Sequence, residues 1–195
     1  TTSAHPFHRL AKMYCKLSMN KSLAMFTKTD IEKYFNGEKA ESILFMAIGI
    51  AGMLTGIAFF FFLQIDFYRG AAIPLCLLGL LMGLAGNTIY RRSDEDRMRN
   101  VYAYDMNPAE LKEKELPRMK TVMRNFVIYR WVEIALFLAG ASLYIYFIRD
   151  FRHDFWRGFG LALAVMALLA LTADYFTEKR GRLYMKGIES FINKQ

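Results

Sequence analysis

The stretch Asp66-Phe67-Tyr68-Arg69-Gly70 returns 88 positions later as Asp154-Phe155-Trp156-Arg157-Gly158. Each copy lies between two apolar stretches, so each reads as the bend of an apolar hairpin. The same offset, held without a gap, also aligns several small residues and one arginine: Ala47 with Ala135, Ala51-Gly52 with Ala139-Gly140, Ala85 with Ala173, and Arg92 with Arg180. The spacing therefore predicts one hairpin that occurs twice, an internal repeat of a kind familiar in membrane proteins.

Four apolar stretches flank these bends. Residues 43–63 and 70–90 each run 21 positions without a charge, and residues 131–148 and 158–176 each contain one acid. All four approach the roughly 20 residues needed to cross about 30 Å of hydrocarbon. We therefore predict an all-α integral membrane protein with four transmembrane helices, arranged as two tandem, parallel-repeat hairpins with amphipathic interfacial helices. The competing interpretation is a soluble protein with two buried hairpins, but soluble core helices rarely run 21 residues without a charge.

Lysine and arginine are concentrated outside the apolar stretches. Residues 1–42, 91–130 and 177–195 hold 7, 10 and 5 of them, against 1 and 3 in the two bends. Because basic loops favour the cytoplasmic side, both termini and the middle segment are predicted there, or on the equivalent side of an organellar membrane. A multi-pass protein of a bacterial inner membrane or an organelle is expected. The net charge of +8 then faces anionic lipid headgroups and not nucleic acid.

The chain divides into five predicted segments. They are a basic amphipathic N-terminal segment (1–42), a first transmembrane hairpin with a cytoplasmic helical extension (43–98), a charged cytoplasmic linker with a lead-in helix (99–130), a second hairpin (131–186) and a C-terminal tail (187–195). Residues 1–42 lack a short apolar core followed by a cleavage site, so no signal peptide is expected. Residues 5–19 have the pattern of an interfacial helix.

Local signals predict where the helices of the charged segments begin and end. Thr29 and Glu32 predict a capping box, and Asn36-Gly37 predicts that this helix loosens or breaks before the first span. Asn107-Pro108 predicts a new helix start and Pro117 a restart. Two apolar stripes are predicted to pack on lipid, on the neighbouring hairpin or at the interface: Met119, Val122, Met123 and Phe126 before the third span, and Leu183, Ile188, Phe191 and Ile192 in the tail.

Small residues and the bends predict specific contacts. Helix packing is predicted at Gly52, Gly56, Gly79 and Gly83, within one chain or between copies of it. Asp66 and Asp154 are predicted to cap the helices that follow, with Arg69 and Arg157 facing lipid phosphate or the capping carboxylate. The alternative is that the bends form a recognition loop for an external ligand.

Glu133 and Asp174 are the only acids within the predicted spans. One is the third residue of its span and the other is third from the end of the antiparallel partner, so both are predicted at similar depth near the cytoplasmic side. Two carboxylates in a low dielectric repel, so we expect them to share a proton or a cation. The candidate proton, cation or partner-contact site comprises Glu133, Asp174, Arg130 and Asn87. The alternative is an interfacial ion pair with Arg130 and Lys179.

Sequence motifs for catalysis are absent. The chain has no phosphate loop, dinucleotide fingerprint, Cys-x-x-Cys pair, His-Glu-x-x-His or nucleophile elbow. His5 and His8 are predicted on the opposite side from His153, so neither a metal nor a cofactor is expected. Cys15 and Cys76 lie in different environments and predict no disulfide.

These patterns favour a non-catalytic membrane protein, a scaffold or accessory subunit of a membrane complex, with other membrane subunits or further copies of the chain as partners. The alternative is a small proton or cation channel or transporter with a pathway between the two hairpins. Thr55 and Ser142 are the main polar side chains at mid-depth, which favours the component over the transporter. An enzyme acting on lipid headgroups ranks third, because no convergent polar site is evident.

Overall fold

The computed structural model describes residues 26–193, and the regular structure of that range is entirely helical. The long helices are α1 (Lys28–Phe62), α2 (Asp66–Met106), α4 (Leu116–Phe147) and α5 (Asp154–Ile192), with a single turn, α3 (Pro108–Glu110), after α2. A π-helical turn (Leu111–Glu115) joins α3 to α4, and a 3-10 turn (Phe151–His153) precedes α5. Four helices are long and apolar enough to cross a membrane by length and composition, which confirms the all-α class. The predicted interfacial helix over residues 5–19, with His5, His8 and Cys15, lies outside the described residues.

The helices pack in two pairs. α1 lies along α2 and α4 lies along α5, and the two pairs meet where α2 packs against α5. α1 makes a small contact with α5, so α2 and α5 are the inner helices and α1 and α4 the outer ones. The inner helices come closest at their first turns. A Cβ added to Gly70 would overlap the carbonyl oxygen of Phe155, and one added to Gly158 would overlap that of Phe67. Glycine is required at both positions because the two backbones touch there.

The four long helices divide into two regions of different composition. The apolar half comprises residues 43–63, 70–90, 131–148 and 158–176. The charged half comprises residues 28–42, 91–130 and 177–192, which extend the same four long helices beyond one end of the apolar half. The largest apolar side chains that are fully buried all lie in the charged half: Phe35, Ile31, Leu111, Met119 and Ile188.

The core of the charged half corrects the prediction for the tail and decides between the two alternatives for Met119. Ile188 was expected at the membrane interface, but it is fully buried among Phe26, Tyr34 and Tyr184. Met119 is also fully buried, in the same core. The physical reason is that the extensions of all four long helices converge, and together they provide an apolar interior that a single amphipathic helix would have to find in lipid.

Helix boundaries differ from the predicted ones where packing overrides a local signal. The break predicted at Asn36-Gly37 is wrong, because α1 is continuous from Lys28 to Phe62. A glycine costs about 1 kcal/mol inside a helix, but here it lets α1 approach another helix: a Cβ at Gly37 would lie 2.5 Å from Nη1 of Arg180. The capping interaction also falls two residues earlier, where the backbone N–H of Thr27 donates to Asp30 at 2.9 Å.

Two prolines follow α2 in the sequence, each in the first turn of the helix that contains it. Asn107 is the N-cap residue of α3 and Pro108 follows it, so the predicted helix start is confirmed. Pro117 does not restart the chain, because it lies in the first turn of α4 directly after the π-helical turn. Pro108 costs little, because its missing N–H would have no helical partner.

Candidate functional site

The two acids of the apolar half line one cavity between α4 and α5. Glu133 on α4 and Asp174 on α5 lie across it, in a groove of about 410 Å³ near the junction with the charged half. The remaining lining residues are Phe126, Arg130, Ile134, Leu171, Thr172, Tyr175, Phe176 and Glu178. The antiparallel pairing of α4 and α5 therefore brings together two acids that are 41 positions apart in the sequence.

The two carboxyl groups line the same cavity, and neither forms an ion pair with a described residue. Ionised carboxylates only accept hydrogen bonds, so a bond between them requires a proton. The Oε2 atom of Glu133 is buried, and no group among the described residues donates to it. The pair can therefore hold a proton, or it can accept N–H donors from a bound cation.

The neighbouring acid Glu178 is fully paired by two arginines. Arg130 donates to its Oε2, and Arg182 donates to Oε1 from Nε at 2.8 Å. Burial acts to raise the pKa of Glu178, but the hydrogen bonds from Arg130 and Arg182 outweigh it and hold the pKa below its ordinary range. Arg130 lines the cavity as predicted, but its ion pair is with Glu178 and not with the two acids of the apolar half.

Two predicted neighbours of the acids lie elsewhere. Asn87 is exposed on α2 and does not line the cavity, because the cavity opens between α4 and α5. Lys179 is exposed and makes no ion pair with the described residues. The predicted interfacial ion pair with Arg130 and Lys179 is therefore not the arrangement found.

Sequence reasoning missed an acid that links the two helix pairs. Glu41 on α1 accepts two hydrogen bonds from Arg180 on α5, at 2.7 and 2.5 Å, and a third from the hydroxyl of Thr177 at 2.6 Å. The repeat contained a signal for this contact, since Arg180 aligns with Arg92. Arg92 likewise reaches an acid of α1, with its Nη2 3.5 Å from Oε1 of Glu38.

A buried polar cluster, also missed from sequence, lies in the charged half around Glu38, Ser93, Asp96, Glu115 and Arg118. Arg118 forms a two-point pair with Glu115 at 2.8 and 2.6 Å, and it lies 3.8 Å from Asp96. Burial raises the pKa of Glu38, against the opposing effect of Arg92 and Arg118. Burial acts to lower the pKa of Arg118, but the bonds to Glu115 outweigh it and the pKa is raised.

The bend residues occupy two different environments. Asp66 and Asp154 are the first residues of α2 and α5, and neither helix has a side-chain cap hydrogen bond. The capping prediction is therefore wrong in detail, although both acids lie in the first turn. Asp66 and Arg69 are exposed. Arg157 pairs with Asp154 at 3.1 Å and lies over the Phe67 ring at 5.3 Å.

The glycines predicted to pack the first pair of helices differ in how tightly they are enclosed. A Cβ at Gly56 would lie 3.0 Å from the carbonyl oxygen of Ala72, and one at Gly79 would lie 2.7 Å from that of Gly49. Gly52 is in ordinary contact with α2, at 3.4 Å from the Leu75 oxygen. A Cβ at Gly83 would meet no described atom within 4 Å.

Neither the metal-ligating side chains of the described residues nor the comparisons with known proteins assign a cofactor or a function. Within residues 26–193 no three His, Cys, Asp or Glu side chains are placed to hold a metal ion. Comparison with known protein families, curated proteins and solved structures found no match for this chain. Its function has to be inferred from its own residues.

Proposed function

We propose that this chain is an integral membrane protein that crosses the bilayer four times, with both termini and the charged half on one side. The support comes from what the apolar half exposes. Phe60, Phe61 and Phe62 are 52%, 67% and 82% exposed, and exposed Leu and Ile side chains continue the same surface on all four long helices. A soluble monomer rarely exposes a contiguous apolar surface of this extent, whereas lipid covers it at no cost.

The two helix pairs are proposed to be tandem repeats related by rotation about an axis along the membrane normal. The contact between Gly70 and Phe155 is repeated by that between Gly158 and Phe67, with each residue exchanged for its counterpart 88 positions away. Reciprocal exchange of this kind is the signature of a two-fold interface.

Aligning one hairpin on the other requires a gap between the outer helix and the inner helix. A Cβ at Gly56 faces Ala72 and Cys76, and one at Gly140 faces Gly160 and Ala164. The partner residues are 88 apart, but the two glycines are 84 apart. The outer helices are thus shifted by about one turn relative to the ungapped alignment, and the longer connection before α5 accommodates the shift.

The proposed role is that of a scaffold or accessory subunit whose outer helices bind other membrane helices. The observation that carries it is a line of small residues on the exposed face of each outer helix: Ala47, Ala51 and Thr55 on α1, and Ala135, Ala139 and Ser142 on α4. Packing inside the chain does not require them, and lipid does not favour them over leucine. Small residues on a membrane-facing surface allow a further helix to approach closely.

α4 is the helix with most surface free for such a partner. Only 6% of its apolar stretch is buried inside the chain, against 17% to 28% for the other three. Inside the chain it packs mainly on α5, and it also carries one of the two acids. The channel or transporter with a pathway between the two hairpins stays an alternative prediction, and it is a distinguishable outcome of the same experiment.

The test is the mass of the complex extracted from native membranes in mild detergent. We expect a stoichiometric complex larger than the 22.6 kDa chain, and we expect it to be lost when Ala135→Leu and Ala139→Leu are combined. Ala85→Leu, on an exposed face of the inner helix α2, is the matched control and should keep the complex. A wild-type chain that purifies as a monomer would contradict the role, and a pure homo-oligomer that conducts protons or cations would favour the alternative.

A further inference from the structure

A stripe of exposed apolar side chains crosses the charged half on α2. Met98, Tyr102 and Met106 follow one another at four-residue steps on one helical face, and they are 63%, 63% and 70% exposed. The stripe begins 8 residues after Tyr90, the end of the apolar stretch, and ends 16 residues after it. That places it about 12 to 24 Å beyond the apolar half. Headgroups add only about 5 to 8 Å on each side of the hydrocarbon, so lipid does not cover this stripe.

The stripe forms one wall of a groove between α1 and α2. The groove has a volume of about 640 Å³ and is lined by Glu32 and Asn36 of α1 and by Arg97, Met98, Val101, Tyr102 and Asp105 of α2. Arg97 is satisfied, since it donates to Asn36 at 2.5 Å and pairs with Asp94 at 3.4 Å. Glu32 in the groove and Glu95, just before the stripe on α2, are exposed and form no ion pair with a described residue. The groove therefore places an apolar wall beside two carboxylates that lack a cation among the described residues.

The sequence of residues 1–25, which lie outside the described residues, is complementary to this groove. It contains four Lys or Arg and no acid. Residues 5–19 are predicted to form a helix with an apolar face and a basic face. The apolar face comprises Phe7, Leu10, Tyr14 and Leu17, and the basic face comprises His8, Arg9, Lys12 and Lys16. The apolar face extends over about 15 Å of helix and the stripe on α2 over about 12 Å, so the two match in length.

The first described residue lies beside the groove. The hydroxyl of Tyr104, within the span of the stripe on α2, donates to the carbonyl oxygen of Phe26 at 3.0 Å. The apolar half is much farther away, because residue 43 follows Lys28 by 15 residues, about 22 Å along α1. Residues 20–25 span about 20 Å when fully extended. The groove is therefore the nearer apolar surface, and lipid would be reached only with this connection stretched out.

We propose that residues 5–19 form an amphipathic helix that docks in this groove of the same chain. Leu10 and Tyr14 pack against Tyr102, and the basic side chains beside them pair with the two unpaired carboxylates. The helix predicted for the membrane interface is thereby placed on protein. The proposal rests on water surrounding the charged half, as proposed above, and it is independent of any role in a complex.

The connection favours a segment of the same chain over a separate partner. A short flexible linker holds a tethered segment at an effective concentration in the millimolar range. A weak contact is therefore sufficient for docking, and a few apolar side chains with two ion pairs provide one. Methionine suits such a contact, because its flexible side chain adapts to the surface that meets it.

The test is disulfide formation in the full chain with Cys15 and Cys76 replaced by serine. Leu10→Cys combined with Tyr102→Cys should form an intrachain disulfide under mild oxidation at least tenfold faster than Leu10→Cys combined with Leu183→Cys. Leu183 is the matched control, since it is 66% exposed in the charged half but does not line the groove. Equal rates for the two pairs would overturn the proposal. Disulfide-linked dimers of the Tyr102→Cys pair would also overturn it, because they would place the segment on a second copy.

A second measurement does not depend on introduced cysteines. Hydroxyl-radical oxidation of Met98 and Met106 is read by mass spectrometry in the purified full chain. Leu10→Ser combined with Leu17→Ser should raise the oxidation of both methionines at least threefold, because the docked helix is lost. His8→Ser, on the predicted basic face, is the control and should change nothing. Oxidation that is the same in all three chains would overturn the proposal, whereas a protected chain that does not enter membranes would contradict the membrane location alone.

Discussion

The two halves of this molecule are held together by different kinds of side chain. In the charged half, aromatic and branched residues fill a core in which Tyr34 stacks on Tyr184 at 4.1 Å between ring centroids. In the apolar half, most buried positions are glycine or alanine, and large side chains point outward. Water drives apolar side chains together, but lipid does not, so helices in lipid associate through close backbone approach. The difference supports the proposal that water surrounds the charged half and lipid surrounds the apolar half.

The largest expected effect is a difference in stability loss between two phenylalanine substitutions, one in each half. Phe35 is 1% exposed in the charged half, and Phe60 is 52% exposed in the apolar half. Phe35→Ala should cost about 3 to 5 kcal/mol, because it leaves a cavity in a packed core. Phe60→Ala should leave thermal unfolding in detergent nearly unchanged. Equal losses from the two variants would mean that both halves are packed alike.

The next effect concerns backbone contact in the apolar half. Gly158→Ala should destabilise the protein by about 3 kcal/mol, because the new Cβ overlaps the carbonyl oxygen of Phe67 and the helices must separate. Gly83→Ala is the matched control, since a Cβ there meets no described atom within 4 Å. It should be neutral or stabilising by up to about 1 kcal/mol, through helix propensity. The idea fails if both substitutions shift the melting temperature downward equally.

A smaller effect should depend on pH and arise in the charged half. Because burial raises the pKa of Glu38 above its ordinary 4.5, the folded state binds more protons than the unfolded state above that pH. The unfolding free energy contributed by this group therefore falls as pH rises from about 4.5. Glu38→Gln should match wild type at pH 4 and exceed it in melting temperature at pH 7.

The groups that face Glu38 set the conditions for this measurement. Arg92, Arg118, Asp96 and Ser93 surround it, so the variant must be compared with Glu95→Gln, which removes one exposed carboxylate from the same part of α2. A difference from wild type that is the same at pH 4 and pH 7 would show that burial of the charge is not the cause.

The smallest effect is expected at the bends. Asp66 and Asp154 lie in first turns without a cap bond, so each contributes only its charge near a helix N-terminus, about 0.5 kcal/mol. Asp154→Ala should cost more than Asp66→Ala, because Asp154 also pairs with Arg157. If melting in detergent is unchanged but partner binding is lost, the bends form a recognition loop.

The sequence predicted the periodic features well. Four apolar stretches free of charge or nearly so define four helices, and the acids at the third and third-last positions of two stretches line one cavity. These features depend on chain length and helix geometry alone. Asn87 was included because it is next to the counterpart of Asp174 in the repeat, but sequence alignment does not place it on the same face, and it lies away from the cavity.

The core of the charged half could not be predicted from the sequence, and the reason is physical. An amphipathic segment such as residues 183–192 buries its apolar face equally well on lipid or on protein, and the pattern is the same in both cases. The outcome depended on how far the four long helices continue past the apolar half. Asn36-Gly37 obscured that continuation, since a glycine that ends a helix and one that allows close packing against Arg180 look alike in sequence.

The central claim is that lipid surrounds the apolar half, with the charged half on one side and the bends on the other. The direct test is labelling of single cysteines, in a chain with Cys15 and Cys76 replaced, by a membrane-impermeant maleimide applied to sealed vesicles of known orientation. Gln64→Cys and Arg152→Cys, in the two connections, should label from one side only. Glu95→Cys and Lys120→Cys, in the charged half, should label only from the opposite side. Labelling of Gln64→Cys and Glu95→Cys from the same side would contradict the account.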